Sequence, residues 1–312
     1  MKFLDLFAGI GGFRLGMEMA GHECVGYVEI DKFARKSYET MYDTRGEWTA
    51  YDITKIADDD IRHLRRHVDV ICAGFPCQAF SIAGKRKGFE DTRGTLFFEI
   101  ARFANIIQPR YLFLENVKGL LNHDNGNTFE TILRVLDELG YDAEWDVLNS
   151  KDFGVPQNRE RVFIIGHSRE GRTRKVFPIK TNGGEDIELQ GQQVTTNTLT
   201  ARYAGAGQGT YVIESKQYAQ AVLTPNRIEK RQNGRRVKNP EEPMFTLTAQ
   251  DRHGVRLNEG IRMLTPRECW RLQGFPDELF EKAAKVNSDS QLYKQAGNSV
   301  TVNVIYEIAK KL

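Results

Sequence analysis

The chain has 312 residues, of which 40% are hydrophobic and 28% charged, and its formal net charge is +2. This composition is ordinary for a globular protein, and the length predicts about two domains, or one domain with a large insertion. No run of about 18 apolar residues occurs, and Asp5 and several glycines interrupt the apolar N-terminus, so we expect neither a helical membrane span nor a secretory signal.

The chain contains four cysteines and no CxxC pair, namely Cys24, Cys72, Cys77 and Cys269. This usage is typical of reduced thiols and predicts a cytoplasmic protein rather than a disulfide framework. His63 and His67 are four residues apart on a predicted helix. A solvated helix face explains them better than a shared metal, because no Cys or carboxylate pattern accompanies them. We therefore expect no metal site.

The first half of the chain alternates predicted strands and helices. In chain order the segments are KFLDLF, GGFRLGMEMA, CVGYVEI, DKFARKSYETMY, VDVICA, TLFFEIARFANII, RYLFLENV and NTFETILRVLDEL, followed by the strands AEWDVLN and RVFIIGH. Asp31 is placed to cap one helix, and Gly21 and Gly140 to end two others. Repeated strand–helix units of this length predict an α/β fold, a mostly parallel doubly wound sheet with helices on both faces.

The alternation ends near Lys180, after which Gly, Thr, Gln and Asn dominate and strands become short. A helical pattern returns from Gln291, and its apolar spacing fits packing against the sheet. We predict that residues 1–180 and 290–312 form the sheet domain and that 181–289 form a smaller, β-rich inserted domain. The tetrapeptide TLTA occurs at residues 198–201 and 246–249, which suggests two similar hairpins.

The basic residues are unevenly distributed. Residues 202–256 contain ten Lys and Arg against five Asp and Glu, a net charge of +5, whereas the remainder carries −3. A surface that meets phosphates and a solvated loop region are both compatible with this excess.

The first predicted strand runs directly into a glycine-rich turn, Phe7-Ala8-Gly9-Ile10-Gly11-Gly12. Such a turn lets a cofactor approach the backbone closely at the start of a helix. Glu29 ends the second strand, twenty residues after Gly9, where a carboxylate can bind ribose hydroxyls. The pattern predicts a nucleoside cofactor, and the glycines alone do not choose between a dinucleotide and S-adenosylmethionine.

Further along the chain, three motifs place polar residues at the ends or beginnings of predicted strands. Cys77, in GFPCQ, follows VDVICA, and a thiol is a nucleophile only as the thiolate; a packed thiol is the more common role of a buried Cys. Glu115 ends LFLENV and would share the edge of Cys77 if the strands are parallel, although a helix-capping role is equally compatible. Arg159 and Arg161, in QNRER, are two apart on extended chain, so they could hold a carboxylate, phosphate or base, or form surface ion pairs.

The ordered motifs FAGIGG, GFPCQAFS, RGTLFFEIAR, ENV, QNRER, TPRECWRLQGFP and GNSV resemble the C5-cytosine DNA methyltransferases, especially the bacterial restriction–modification type. The match covers residues 1–168 and 263–304, and seven motifs in one order make it specific. Ala83 departs from the pattern, since some members carry Ser there. In this family the variable region, here 179–261, is the target-recognition domain.

The resemblance implies a reaction. A methyl group passes from S-adenosylmethionine to C5 of a flipped-out cytosine in a short, specific double-stranded DNA site, through a covalent adduct between Cys77 and C6. Glu115 would bond N3 and the exocyclic amine and supply a proton at N3. Arg161 would steady the base carbonyl and Glu115, and Arg159 would support the pocket near Cys77. A water is the expected base for the C5 proton.

The resemblance also implies binding residues and partners. The cofactor, S-adenosylmethionine with S-adenosylhomocysteine as product, would contact Phe7, Gly9, Gly11, Glu29, Ile30, Asp52, Ile53, Leu96, Asn298 and Ser299. DNA would meet a loop closing over the flipped nucleotide, through Gln78, Ser81, Lys85, Arg86 and Lys87. Candidates in the recognition region are Arg202, Arg227, Gln250 and Arg252. We expect a monomer that binds double-stranded DNA and no membrane, with a cognate restriction endonuclease acting independently on the same site.

Three alternatives remain. A tRNA cytosine methyltransferase would use the same thiol and acid, but that branch has a much reduced recognition domain, and the unmatched residues 179–261 favour DNA. A catalytically silent DNA-binding member is disfavoured by the intact Cys77, Glu115 and Arg161. An NAD-dependent oxidoreductase shares only the glycine turn and leaves GFPCQ and QNRER unexplained.

Overall fold

The structure is a computed structural model that describes residues 1–76, 96–179, 219–225, 235–240, 242–249, 252–257 and 260–312. Within these ranges the strands are β1 (Lys2–Leu6), β2 (Glu23–Val28), β3 (Trp48–Ala50), β4 (Val70–Gly74), β5 (Tyr111–Val117), β6 (Tyr141–Asn149), β7 (Glu160–Ser168), β8 (Gln220–Leu223), β9 (His253–Leu257) and β10 (Gly260–Met263). The helices there are α1 (Gly12–Met19), α2 (Lys32–Met41), α3 (Asp58–Arg62), α4 (Leu96–Ile107), α5 (Asn127–Glu138), α6 (Pro266–Arg271), α7 (Asp277–Ala284), α8 (Asp289–Asn298) and α9 (Val302–Ala309). Short 3-10 turns lie at Ile53–Lys55, Lys118–Gly126 and Ser150–Phe153.

The large sheet has the order β3-β2-β1-β4-β5-β7-β6. Strands β1 to β5 pair in parallel, whereas β7 is antiparallel to both β5 and β6. The strand order reverses between β1 and β4, and open α/β sheets bind ligands outside the carboxyl ends of the strands at such a switch point. The prediction of a mostly parallel α/β sheet is confirmed. The glycine turn begins where β1 ends, and the GFPC segment begins at the end of β4, the two strands on either side of this crevice.

Helices cover both faces of the sheet. On one face, buried side chains from α3, α4 and α5 pack against β4 and β5, with Ile71 and Leu112 fully buried among them. On the other face, α1 and α9 pack against the same strands, through Phe13 and Ile305. The predicted return of the C-terminal helix to the sheet is therefore confirmed.

Local signals in the sequence set several element ends. The Asp31 carboxylate accepts hydrogen bonds from the backbone N–H groups of Phe33 and Ala34 and caps α2, as expected. Gly21 and Gly140 follow α1 and α5 with φ values of 85° and 82°, the left-handed region in which glycine is unstrained.

The second, smaller sheet is antiparallel, with the order β10-β9-β8. It comes from the segment predicted to be β-rich, and it confirms a separate small sheet beside the large one. The second TLTA copy, at residues 246–249, forms no strand, so its interpretation as a hairpin is wrong. Its backbone is bonded by polar side chains of the sheet domain instead. The first copy, at 198–201, lies outside the described residues.

Helices α6, α7 and α8 form a layer against α2. Trp270 is fully buried there, and its indole Nε1 donates to the Leu292 carbonyl at 3.0 Å. Gln295 on α8 bonds the Ser37 hydroxyl and the Phe33 carbonyl of α2. The division of the chain at 181 and 289 stays a prediction. No helix among the described residues is long and apolar enough to cross a membrane.

Candidate active site

The glycine turn after β1 is held open by its own backbone and by Glu29. Gly9 N donates to Glu29 Oε2 at 2.6 Å, and Asp31 N donates to Glu29 Oε1 at 2.6 Å. Gly11 N closes the turn by donating to the Ala8 carbonyl at 2.8 Å. The structure therefore brings the predicted ribose-binding carboxylate directly against the glycine turn.

The environment of this turn fits a nucleoside. A Cβ atom on Gly9 would meet nothing within 4 Å, so the backbone there is open to a ligand. Each carboxylate oxygen of Glu29 has a second lone pair that can accept from a ribose hydroxyl. Burial raises the pKa of Glu29, while the backbone donors Asp31 and Gly9 lower it. Beside it, the apolar side chain of Ile30 is 67% exposed, as expected if the flat ring of a nucleoside packs on it.

The remaining predicted cofactor residues gather around the same crevice. Phe7 and Leu96 pack against the hydrophobic cluster that contains the buried Ile53. Asp52 Oδ1 accepts from the backbone N and the hydroxyl of Thr54, which fixes the carboxylate at the start of a 3-10 turn. These contacts place apolar and acceptor groups on the side of the turn where the resemblance implies the adenine.

The GNSV turn closes the opposite side. A Cβ atom on Gly12 would lie 2.8 Å from Ser299 Oγ and 2.7 Å from Val300 Cγ2, so this turn lies directly on the start of α1. Ser299 is buried, and Asn298, the last residue of α8, is exposed. Ser299 therefore reaches the glycine turn from a part of the chain almost three hundred residues away, as the motif order implies.

Tyr42 supports the glycine turn from behind, a role that sequence reasoning missed. Its hydroxyl donates to the carbonyls of Ile10 at 3.3 Å and Gly11 at 3.1 Å. Gly11 has φ 79°, and a Cβ atom there would lie 2.5 Å from the Tyr42 ring. The other face of the ring is covered by the Arg14 guanidinium, 4.6 Å from the ring centroid. No recognisable motif contains Tyr42, so only the fold could reveal it.

We expect Tyr42→Phe to weaken S-adenosylmethionine binding by about 2- to 10-fold, the effect of losing one neutral hydrogen bond. The measurement is the Kd by titration calorimetry, with kcat at saturating cofactor unchanged. Tyr141→Phe is the matched control, because Tyr141 also donates to a backbone carbonyl, that of Pro109 at 2.8 Å, but on the outer strand β6. An equal loss of affinity in both variants would contradict the role of Tyr42.

The strand ends at β4 and β5 meet, as predicted for parallel strands. Gly74 pairs with Glu115 in register. Asn116, which is almost fully buried, donates from Nδ2 to the Phe75 carbonyl at 2.9 Å and so fixes the backbone two residues before Cys77. Cys77 itself lies outside the described residues. The positioning role of Asn116 was missed, although its place in ENV was a usable signal.

Glu115 is a buried acid with one cationic partner close by. It is 7% exposed, and Arg161 Nε lies 3.0 Å from its Oε1. Burial raises the pKa of Glu115, against the lowering effect of the Arg161 and Arg159 charges. A carboxyl group in this setting can hold a proton at a higher pH than an exposed one, which is what a proton donor requires.

Arg159 behaves differently from Arg161. Its guanidinium is buried and donates from Nη1 to the Leu247 carbonyl at 2.8 Å and from Nη2 to the Ser299 carbonyl at 2.7 Å and the Gly297 carbonyl at 3.3 Å. Burial and the charge of Arg161 lower the pKa of Arg159 to about 9, so it stays charged at neutral pH. Arg159 precedes β7, so the alternation expected of two residues on one strand does not apply.

The three cysteines other than Cys77, namely Cys24, Cys72 and Cys269, are buried. Burial raises the pKa of Cys24 and of Cys269 to about 12 and raises that of Cys72 as well. A thiol that stays protonated is a poor nucleophile.

Most predicted DNA contacts cannot be placed. Gln78, Ser81, Lys85, Arg86, Lys87, Arg202, Arg227 and Gln250 lie outside the described residues, as Cys77 does. Arg252 is described and exposed, and its Nη1 lies 3.9 Å from Met263 Sδ of the small sheet. In the described part of the chain, no group of three or more His, Cys, Asp and Glu side chains could hold a metal ion.

Comparison with known proteins agrees with this geometry. The family model described as C-5 cytosine-specific DNA methylase matches residues 1–312. The type II methyltransferase M.HpaII of Haemophilus parainfluenzae is 42% identical over 329 residues, covering 99% of this chain and 88% of the relative. The type II methyltransferase M.HhaI of Haemophilus parahaemolyticus is 39% identical over 324 residues, covering 99% and 93%. The crystal structure of the S. pombe Dnmt2 methyltransferase has a similar fold, with a TM-score of 0.62 and 20% identity over 99% of this chain and 97% of that one.

The whole-chain family match and the two relatives above 30% identity bear out the motif resemblance. The structure adds an acid buried beside the end of β4, a glycine turn at the switch point of the large sheet and a separate small sheet. The chain belongs to the C-5 cytosine-specific DNA methylases and is a DNA cytosine-5-methyltransferase.

Proposed function

We propose that this enzyme methylates C5 of a cytosine flipped out of a specific, short double-stranded DNA site, through a covalent adduct between Cys77 and C6. The observation that carries the proposal is Glu115, buried against Arg161 and in register with Gly74, three residues before Cys77. A buried acid and a nucleophile at adjacent strand ends can act on one ring at the same time.

The chemistry assigns each group a step. The Cys77 thiolate adds to C6, and Glu115 delivers a proton to N3 as the electrons of the C5–C6 double bond move into the ring. The resulting enamine carbon C5 takes the methyl group from the sulfonium of the donor, which leaves as S-adenosylhomocysteine. A base, for which we propose a water, then removes the C5 proton. The N3 proton returns to Glu115 and the bond between Cys77 and C6 breaks, which restores the C5–C6 double bond, the Cys77 thiolate and the Glu115 carboxyl group. Arg161 orients Glu115 and the base carbonyl.

The described cysteines support Cys77 as the nucleophile. Cys24, Cys72 and Cys269 are buried, and burial holds the pKa of each above its usual value. Cys24 and Cys72 lie within the core between the sheet and α1, and Cys269 lies in the core against α2. Buried, protonated thiols are poor nucleophiles, which supports Cys77 as the residue that attacks the base.

S-adenosylmethionine is the proposed cofactor, and it supplies an electrophilic methyl group when bound. Glu29 would hold the ribose hydroxyls, and the open backbone at Gly9 would accept the methionine end. Ile30, Ile53 and Leu96 would pack on the adenine, with Asp52 at its amine. Ser299 reaches the same turn across Gly12. The geometry between Glu29 and the glycine turn is the main support.

We propose that residues 179–261, nearly all of which fall in the predicted inserted domain 181–289, read the DNA. Their basic excess and their small sheet β8–β10 support this assignment. In the major groove each base pair shows a distinct pattern of donors and acceptors, so side chains there can select a site, while other Lys and Arg bind phosphates. The restriction-type names of the relatives support a role in a restriction–modification system. The partner nuclease, the monomeric state and the cytoplasmic location stay predictions.

Bisulfite sequencing of DNA from cells that express the protein tests the proposed function. Bisulfite leaves 5-methylcytosine unconverted, so the experiment reports activity, the modified base and the flanking sequence together. We expect protected cytosines in one short recurring sequence, and none in the cells without the protein. Protection of tRNA cytosines with none in DNA would instead favour the RNA-modifying alternative.

Exchange of residues 179–261 for the corresponding block of a relative with another target should move the specificity. We expect the chimaera to methylate the relative's site and to lose its own, because the reaction itself needs no sequence information beyond one cytosine. The measurement is bisulfite sequencing of DNA that contains both sites. An active chimaera that keeps the original site would place DNA reading elsewhere.

A further inference from the structure

The segment from Met244 to Ala249 lies between β8 and β9 of the recognition region and directly on the QNRER motif. Met244 N donates to the Pro156 carbonyl at 2.8 Å, and Asn158 N donates to the Met244 carbonyl at 2.9 Å. The Thr246 hydroxyl bonds the Asn158 carbonyl. We call residues 244–249 the exit segment, since here the chain has left the small sheet after β8 and contacts QNRER before it returns to that sheet at β9.

Both backbone polar groups of Leu247 in the exit segment are bound by side chains of QNRER. Gln157 Oε1 accepts from Leu247 N at 2.9 Å, and Arg159 Nη1 donates to the Leu247 carbonyl at 2.8 Å. Gln157 is fully buried, Arg159 almost so, and the Leu247 side chain enters the core against α2. An interior residue whose N–H and C=O are both held by buried side chains has little freedom to shift.

The same two side chains also bond the end of α6 and the GNSV turn. Gln157 Nε2 donates to the Leu272 carbonyl at 2.7 Å. The Arg159 fork spans from Leu247 to the Ser299 carbonyl, in the turn that lies on the glycine turn. Gly297 adds direct contact, because a Cβ atom there would lie 2.3 Å from the Thr248 backbone. The exit segment, the GNSV turn and QNRER therefore form one buried polar junction.

We infer that Arg159 and Gln157 are positioning residues that lock the exit segment of the DNA-reading region onto the GNSV turn, and that Arg159 does not contact the target base. This inference rests on the proposed role of residues 179–261. It replaces the supporting role near Cys77 that the motif resemblance implies for Arg159. A planar guanidinium suits the junction because its fork can bond two carbonyls in fixed directions, which the single ammonium of Lys cannot reproduce.

The consequence is that loosening the junction should affect how DNA is held and discriminated more than how fast a bound cytosine reacts. The exit segment would no longer keep the recognition region at a fixed distance from Glu115. Glu115 and Arg161, in contrast, stay on β5 and β7.

The test compares Arg159→Lys, Gln157→Met and the double variant in steady-state kinetics on unmethylated DNA duplexes that either contain or lack the enzyme's target site. We expect each single variant to raise KM for DNA by about 10-fold or more, the scale of a lost charged or buried hydrogen bond, and to reduce the preference for the true site. The kcat at saturating DNA should stay within about 3-fold of wild type. The double variant should be little worse than the worse single variant, because both act through Leu247.

Arg110→Lys is the matched control, because Arg110 also bonds a backbone carbonyl, that of Arg172 at 2.8 Å, but beside the opposite end of β5. It should leave KM and kcat unchanged. A fall of about 100-fold in the kcat of Arg159→Lys with KM unchanged would show contact with the reacting base and overturn the inference. So would wild-type kinetics with only a lower Tm, which is a purely structural role.

If Arg159→Lys does not fold, Gln157→Met carries the same test, since it removes the other half of the Leu247 contact. Amide hydrogen exchange adds an independent reading: the Leu247 amide should exchange faster in either variant. The proposed function fails separately, through absence of cytosine methylation by wild type or retention of the original site by the chimaera. If wild type is active and Gln157→Met keeps normal specificity, the inference about the junction is contradicted and the proposed function is not.

Discussion

Cys77→Ser should abolish methylation of DNA while the fold and the affinity for S-adenosylmethionine stay close to wild type. This is the largest effect that we expect from one substitution. A serine hydroxyl has a far higher pKa than a thiol, so almost none of it is the anion that adds to C6, and addition stops. The measurement is transfer of a labelled methyl group from the donor to DNA, together with calorimetric titration of the cofactor.

A second measurement separates the nucleophile from a residue that merely supports the pocket. DNA with 5-fluorocytosine at the target should become covalently trapped on wild type, because fluorine replaces the proton that must leave. Cys77→Ser should give no adduct. Cys24→Ser is the control, since Cys24 already donates to the Gly26 carbonyl and a hydroxyl can do the same. Trapping by Cys77→Ser, or by no form of the protein, would overturn the covalent mechanism.

Glu115→Gln should lower kcat by about 10²- to 10⁴-fold, the usual contribution of general acid catalysis. The amide keeps the shape of the carboxyl group but cannot deliver its proton to N3. Binding of S-adenosylmethionine should barely change, because Glu115 lies at the end of β5 and the cofactor turn follows β1. Glu160→Gln is the matched control: Glu160 is exposed, pairs with Lys118, and should be kinetically silent. Equal turnover of wild type and Glu115→Gln would remove Glu115 from the mechanism.

The pH dependence gives the same assignment an independent check. Burial raises the pKa of Glu115, so the protonated form persists above its usual range. If that form is the active one, kcat should fall as pH rises through the raised pKa, and this limb should vanish in Glu115→Gln. The free energy of unfolding should also fall as pH rises, because the folded state holds this proton more tightly than the unfolded chain does. The contribution is therefore present at low pH and is lost as pH rises from the unfolded pKa through the folded one.

Much of the active site could be predicted because each motif sits where a strand ends. The alternation of strands and helices implies parallel pairing, and parallel pairing brings the ends of β4 and β5 to one edge. Glu115 and Gly74 are neighbours for that reason alone. Glu29 reaches Gly9 by the same logic, from the end of β2 to the turn after β1.

What the sequence could not predict depends on contacts between distant segments. The antiparallel direction of β7 has no local signal, since its apolar residues would suit either direction. Tyr42 and Gln157 act through hydrogen bonds to backbone groups, which any residue type offers, so no pattern marks their partners. The TLTA repeat misled for a related reason. Its second copy forms no strand and is bonded by side chains instead, and tetrapeptide identity does not distinguish the two arrangements.

The GNSV turn comes from the last few dozen residues of this chain, yet it lies on the first turn of α1. Contacts between such distant positions form late, because the loop between them must close first. During synthesis the N-terminal strands can begin to pair while residues 297–302 are still being added. A nascent chain would therefore contain Glu29 and the glycine turn without the GNSV turn that packs against the start of α1. We expect ribosome-bound chains that end before α8 to bind no S-adenosylmethionine, so methylating activity would appear only after residues 297–302 have been synthesised.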